Sequence, residues 1–84
     1  MYAVLLEAAA ELSLRRLDRS VFPRVVQALR SLASDPRPHG CRKLTGSDSD
    51  WRVRVGDFRI VYEIDDRRRE VRIMRIRHRR EAYR

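Results

Sequence analysis

Three arginines within nine residues raise the chemical question. In "WRVRVGDFR" (51–59), Arg52 and Arg54 alternate with Val53 and Val55, a Gly56-Asp57 pair interrupts, and Arg59 follows Phe58. Guanidinium groups are planar, stay protonated and match the oxygens of a phosphate. Several aimed at one point stabilise negative charge, including charge that grows in a transition state. A second group lies in "RHRREAYR" (77–84), which carries His78, Arg79, Arg80 and Tyr83. Histidine is the side-chain type whose ordinary titration lies nearest neutrality. Tyrosine can donate a proton, stack on a base or simply pack. His39, between Pro38 and Gly40, reads as a loop residue without a role.

The local pattern says how the arginines are held. Gly-Asp is a two-residue hairpin signal. With 56–57 as the loop, Val55 opposes Phe58, Arg54 opposes Arg59, Val53 opposes Ile60, Arg52 opposes Val61 and Trp51 opposes Tyr62. Strand side chains alternate between faces. Trp51, Val53, Val55, Phe58, Ile60 and Tyr62 then share a face that helices can cover. Arg52, Arg54, Arg59, Val61 and Glu63 share the other. Opposed like charges destabilise a sheet by roughly 0.2–1 kcal/mol. Clustering them fits an anion site, where bound phosphate relieves the repulsion. The plainer reading is a solvated cluster with Glu63 as partial counter-ion.

The rest of the chain supplies the elements around that hairpin. "YAVLL" (2–6) reads as a strand that joins the sheet or lies on its edge. "AAAELSLRRL" (8–17) has Ala10, Leu14 and Leu17 at helical spacing. A second helix runs from about Ser20 to Ser34, with Pro23 in its first turn and a core stripe of Phe22, Val25, Val26, Leu29 and Leu32. "SDPRPHG" (34–40) ends it. Then the period changes from 3.6 to 2. "CRKL" (41–44) is a short strand, "TGSDSD" (45–50) a turn, "FRIVYEI" (58–64) and "EVRIMRI" (70–76) are strands, and the tail forms one helical turn. Val71 and Ile73 differ in parity from Met74 and Ile76, which implies either a bulge near Ile73–Met74 or a strand apolar on both faces. The fold class is α+β, in the order β-α-α-β-β-β, with two helices on one face of an antiparallel sheet.

Bulk properties agree. The 84 residues suit one domain, 1–84, with 43% hydrophobic and 38% charged residues and a formal net charge of +8. The charge is uneven: residues 1–40 carry six basic and four acidic residues, and residues 41–84 carry fourteen and eight. That balance suggests a polyanionic partner, nucleic acid or an acidic protein, engaged mainly by the C-terminal half. Lys43 is the only lysine. Cys41 stands alone, without a disulfide framework or a metal-ligand cluster, which suits a reducing cytoplasm. No cofactor motif is present. The apolar N-terminus lacks the basic start of a signal peptide, and no stretch is long enough to span a bilayer, so no membrane is expected.

The runs "DPRPHGCRKLTG", "WRVRVGDFRIVYEIDD" and "RHRREAYR", with "AAELSLRRL" before them, resemble the RelE/ParE superfamily of bacterial toxins, on the RelE side. The resemblance covers essentially the whole chain. It implies a toxin of a type II toxin–antitoxin pair. RelE-type members cut mRNA in the ribosomal A site without a metal: the 2′-hydroxyl attacks the adjacent phosphate and expels the 5′-oxygen of the next nucleotide. By resemblance, Arg52, Arg54, Arg59, His78, Arg79 and Tyr83 are the catalytic candidates, with Lys43, Arg52, Arg54 and Arg80 binding RNA. Arg59 and Arg79 would stabilise the phosphorane, and Tyr83 or His78 would act as the acid. The RelE pattern favours lysines where Arg52 and Arg54 stand, which leaves the base to His78, the ribosome or the RNA, or leaves the chain slow or inactive. The alternatives are a ParE-like DNA gyrase inhibitor and an inactive, antitoxin-binding member. The expected partners are an acidic RelB-like antitoxin, the ribosome and mRNA. Leu12 falls off the Ala10–Leu14–Leu17 stripe and is expected to be exposed and available for contact.

Overall fold

The computed structural model describes the backbone of residues 1–46 and 50–82 and the side chains of residues 1–46 and 50–80. The elements are β1 (Ala3–Leu6), α1 (Ala8–Arg15), α2 (Phe22–Ser34), β2 (Arg42–Lys43), β3 (Asp50–Val55), β4 (Phe58–Asp65), β5 (Glu70–His78) and α3 (Arg79–Ala82). The strands form one sheet in the order β1-β5-β4-β3-β2.

Each boundary has a local cause. α1 is built from alanine, leucine and glutamate, all strong helix formers, and Arg15 reaches back to Glu11 at 2.8 Å. α2 starts beside Pro23, whose missing N–H costs nothing in a first turn. It stops where Asp35 turns extended ahead of Pro36. Gly56 has φ +58°, a value that favours glycine, and it opens the two-residue loop between β3 and β4.

The hairpin register is the one expected: Arg54 lies opposite Arg59, and Trp51 opposite Tyr62. One feature corrects the expected antiparallel sheet, and another decides between the two alternatives for the last strand, in favour of the bulge. The sheet is mixed, because β1 runs parallel to β5, with Ala3 opposite Glu70 and Leu6 opposite Ile73. The remaining strands pair antiparallel. And β5 bulges: Tyr62 faces Ile73 while its neighbour Val61 faces Arg75, so Met74 is the extra residue. The bulge restores order to the two faces, since Ile73 and Ile76 are both buried.

The core lies between the helices and one sheet face. Ala10, Val25, Leu29 and Leu32 from the helices meet Ile60, Tyr62, Ile64, Val71, Ile73 and Ile76 from the sheet. Two members of the expected stripe differ. Val26 is half-buried and Phe22 is 42% exposed. Phe22 opens the helix, and helical side chains lean toward the N-terminus, which carries its ring away from the buried stripe.

The segment after α2 is tied to the sheet by polar contacts. Tyr62 Oη donates to the Pro36 carbonyl at 2.9 Å, inside the core. Arg37 donates to both oxygens of Asp66, at 3.2 and 2.8 Å. Tyr2 Oη donates to the same carboxylate at 2.6 Å. The Arg37 guanidinium also lies 5.2 Å from the centre of the Trp51 ring, a cation–π distance. Arg37 and then Tyr2 hold the Asp66 carboxyl below its usual range. Asp66 in turn raises the Tyr2 hydroxyl.

Candidate nucleic-acid interface

The sheet face away from the helices carries its charges in three rows across the strands. Nearest the β3–β4 loop, Arg54, Arg59 and Arg77 lie opposite one another on β3, β4 and β5. The next row is Arg42, Arg52, Val61 and Arg75. The third is Asp50, Glu63 and Arg72. The face is therefore strongly cationic toward the loop and mixed toward the other end. Each arginine is placed by strand alternation, with the apolar residues between them turned into the core.

The arginines line two adjoining depressions. The larger, of about 430 Å³, has Leu44, Val61 and Met74 among its apolar lining, and Arg52, Arg59, Arg75, Arg77, Asp50 and Glu63 among its polar lining. The smaller is lined by Gly40, Arg42, Arg52, Val53, Arg54 and Arg59. Arg52 and Arg59 are half-buried and border both. Arg54 is exposed, and its Nε donates to the Gly56 carbonyl at 3.2 Å.

The other expected site residues are distributed around this face. Arg79 is anchored at the hairpin loop: its backbone N–H donates to the Asp57 carbonyl at 2.7 Å, and its Nε lies 3.6 Å from Asp57 Oδ1. This brings it to the cationic end. His78 lies opposite Phe58 and packs against that ring edge-on, with centroids 5.2 Å apart. Phe58 belongs to the helix-facing side, and His78 lines a depression there with Ser13, Arg16, Leu17 and Asp18. His78 and the arginine rows thus occupy opposite faces of the sheet. His78 Nδ1 accepts the Arg80 backbone N–H at 3.2 Å. Lys43 pairs with Trp51 on the edge strand, one residue out of phase with Arg42. Arg80 is exposed. Tyr83 lies outside the described residues.

Arg42, Arg75 and Arg77 join the cationic rows without having been singled out in the sequence. The signal for the last two was the parity of β5, readable only once Met74 is known to be the bulge. Tyr62 is buried on the helix-facing side, away from the arginine rows, and its hydroxyl is engaged by the Pro36 carbonyl. Burial, and then the neighbouring Cys41 thiol, push its hydroxyl well above the usual tyrosine range. Among the described residues, no three His, Cys, Asp or Glu side chains gather to hold a metal ion.

The fold is that of the RelE toxins. The chain superposes on the RelE of a RelE–RelB complex from Pyrococcus horikoshii with a TM-score of 0.83, at 23% identity, covering 93% of this chain and 94% of that one. Isolated E. coli RelE gives 0.81 at 20% identity, over 93% and 84% of the two chains. The RelBE2 toxin–antitoxin complex from Mycobacterium tuberculosis gives 0.81 at 26% identity, over 92% and 96%. No curated protein sequence matches. The family model for the ParE toxin of type II toxin–antitoxin systems matches residues 4–83. The chain belongs to that family, within the RelE/ParE superfamily, and is a type II toxin.

Proposed function

We propose that this toxin is a ribosome-dependent mRNA endoribonuclease that cleaves by 2′-hydroxyl transesterification. The observation that carries the reading is the sheet face away from the helices, where Arg54, Arg59 and Arg77 stand in one row beside Arg42, Arg52 and Arg75. When the 2′-oxygen attacks phosphorus, the phosphorane gains negative charge, and fixed guanidinium groups stabilise it more than the ground state. Arg59 is the central candidate, since it borders both depressions and stands between Arg54 and Arg77 in their row. Arg79, at the hairpin loop, is the second. With His78 on the far side of the sheet, the 2′-hydroxyl proton passes to the ribosome or the RNA, and Tyr83 is the candidate donor to the leaving 5′-oxygen.

A cognate antitoxin belongs to this reading. Several structural neighbours are solved with RelB, and Leu12 is 49% exposed on α1. An acidic partner that folds on binding suits a chain of charge +8. Among the described residues no helix is long and apolar enough to cross a membrane, and the work of such a toxin lies in the cytoplasm.

RNA 5′ ends mapped after a short induction test the reading. Cuts within translated codons are expected, and Arg59→Ala should remove them while staying soluble. Arrested growth with intact mRNA overturns it. A second reading, inhibition of DNA gyrase, is favoured by the match to the ParE model. A supercoiling assay with the purified toxin separates the two.

A further inference from the structure

The larger depression on the open face has a composition that phosphate binding alone leaves unexplained. A phosphate site is polar throughout, yet this one has an apolar floor of Leu44, Val61 and Met74. Met74 is there because of the bulge, which inserts one extra residue into β5 beside Val61. Arginines rise on its cationic side, and Glu63 stands toward the opposite end. Glu63 is half-buried. Its cross-strand neighbour Arg72 lies 3.5 Å from Glu7 instead. Beside an apolar floor and an arginine wall, the Glu63 carboxylate is a set of acceptors with no assigned donor among the described residues.

We propose that this depression holds one nucleotide of the RNA and that Glu63 selects its base. The inference rests on the RNA-cleaving reading above and adds a specificity-determining residue to it. The floor takes the face of the base, and its volume of about 430 Å³ lies within the ~300–1,000 Å³ of small-molecule sites. The neighbouring arginines take the phosphate. Glu63 takes the Watson–Crick edge, where single-stranded RNA is read. An ionised carboxylate only accepts hydrogen bonds. Guanine offers two adjacent donors, N1–H and the 2-amino group, and pairs with both oxygens. Adenine and cytosine offer an amino group beside a ring acceptor. Uracil offers one N–H between two carbonyl oxygens, which the carboxylate repels. The order expected is guanine first, adenine and cytosine next, uracil last.

Titration of the purified toxin with the four nucleoside 3′-monophosphates, and with inorganic phosphate, followed by NMR, tests this. The guanosine nucleotide should bind at least about fivefold tighter than the uridine nucleotide, the lower end of what a bidentate base contact supplies. Glu63→Gln, which keeps the shape, should lose most of that preference and leave phosphate binding undiminished. Met74→Ser should weaken all four nucleotides and leave phosphate unchanged. Equal binding of the four bases overturns the proposal, as does a preference that survives Glu63→Gln, or binding of phosphate with no gain from any base. The mapped RNA ends judge the nuclease reading separately. If cuts occur and the nucleotides show no preference, only the base-selecting role falls.

Discussion

Removing Arg77 should make the protein more stable and less able to bind phosphate. Arg77 is exposed on β5 and lies directly opposite Arg59, which lies opposite Arg54. The Arg77→Thr substitution deletes one opposed like-charge pair, worth roughly 0.2–1 kcal/mol. For a domain of this size 1 kcal/mol moves Tm by about 4–8 °C, so a rise of roughly 1–8 °C is expected at low salt. Threonine also suits a strand, and that part of the gain is independent of salt. The charge part is screened: the Debye length falls from ~10 Å at 0.1 M to ~3 Å at 1 M. Thermal melts by circular dichroism, with and without 1 M sodium chloride, separate the two. At constant ionic strength, phosphate should stabilise wild type more than Arg77→Thr, because ligand binding to the folded state adds stability by mass action. A variant that melts below wild type at low salt, or whose gain is the same in both salts, would show that the row is not electrostatically strained.

Other consequences can be checked with the same equipment. Tyr62→Phe removes the hydroxyl that reaches the Pro36 carbonyl and should cost about 1–2 kcal/mol in a urea titration, the loss for a buried hydrogen bond whose acceptor stays behind. Gly56→Ala must hold φ +58° with a Cβ 3.3 Å from the Arg24 guanidinium. The flexible arginine can yield, so the expected loss of about 1 kcal/mol comes from the backbone, and Gly56→Asn should recover part of it. Asp66 has its pKa lowered by Arg37 and Tyr2, so its contribution is full above the ordinary carboxyl value near ~3.9 and is lost as pH falls through the lower folded value. The Tm gap between wild type and Asp66→Asn should accordingly be constant near neutrality and close below about pH 4. A gap that widens on acidification contradicts this.

Much of the arrangement was legible before any coordinates. The β3–β4 register follows from a two-residue loop and strict alternation, both local, and it placed Arg52, Arg54 and Arg59 together. α2 was legible because Val25, Leu29 and Leu32 keep helical spacing. The pairing of β1 was not legible as parallel, because "AVLL" carries no mark of its neighbour's direction; the two intervening helices decide it. The side taken by His78 depends on a single inserted residue. Parity counted through Met74 leaves two outcomes for everything after it, and only packing of Ile73 and Ile76 into one core chooses between them. The same ambiguity hid Arg75 and Arg77.

The sheet order also governs when this protein can become dangerous. β5 sits between β1 and β4, and Ala3 pairs with Glu70. β1 therefore has no partner in the sheet until β5, the last of its five strands, has emerged. Long-range pairing of this kind slows folding and leaves partial structures open. Arg77 completes its row from the same late strand. A nascent chain thus carries a hairpin with Arg54 and Arg59 but neither a closed sheet nor a finished cationic face. The cationic face is complete only when β5, seated between β1 and β4, arrives.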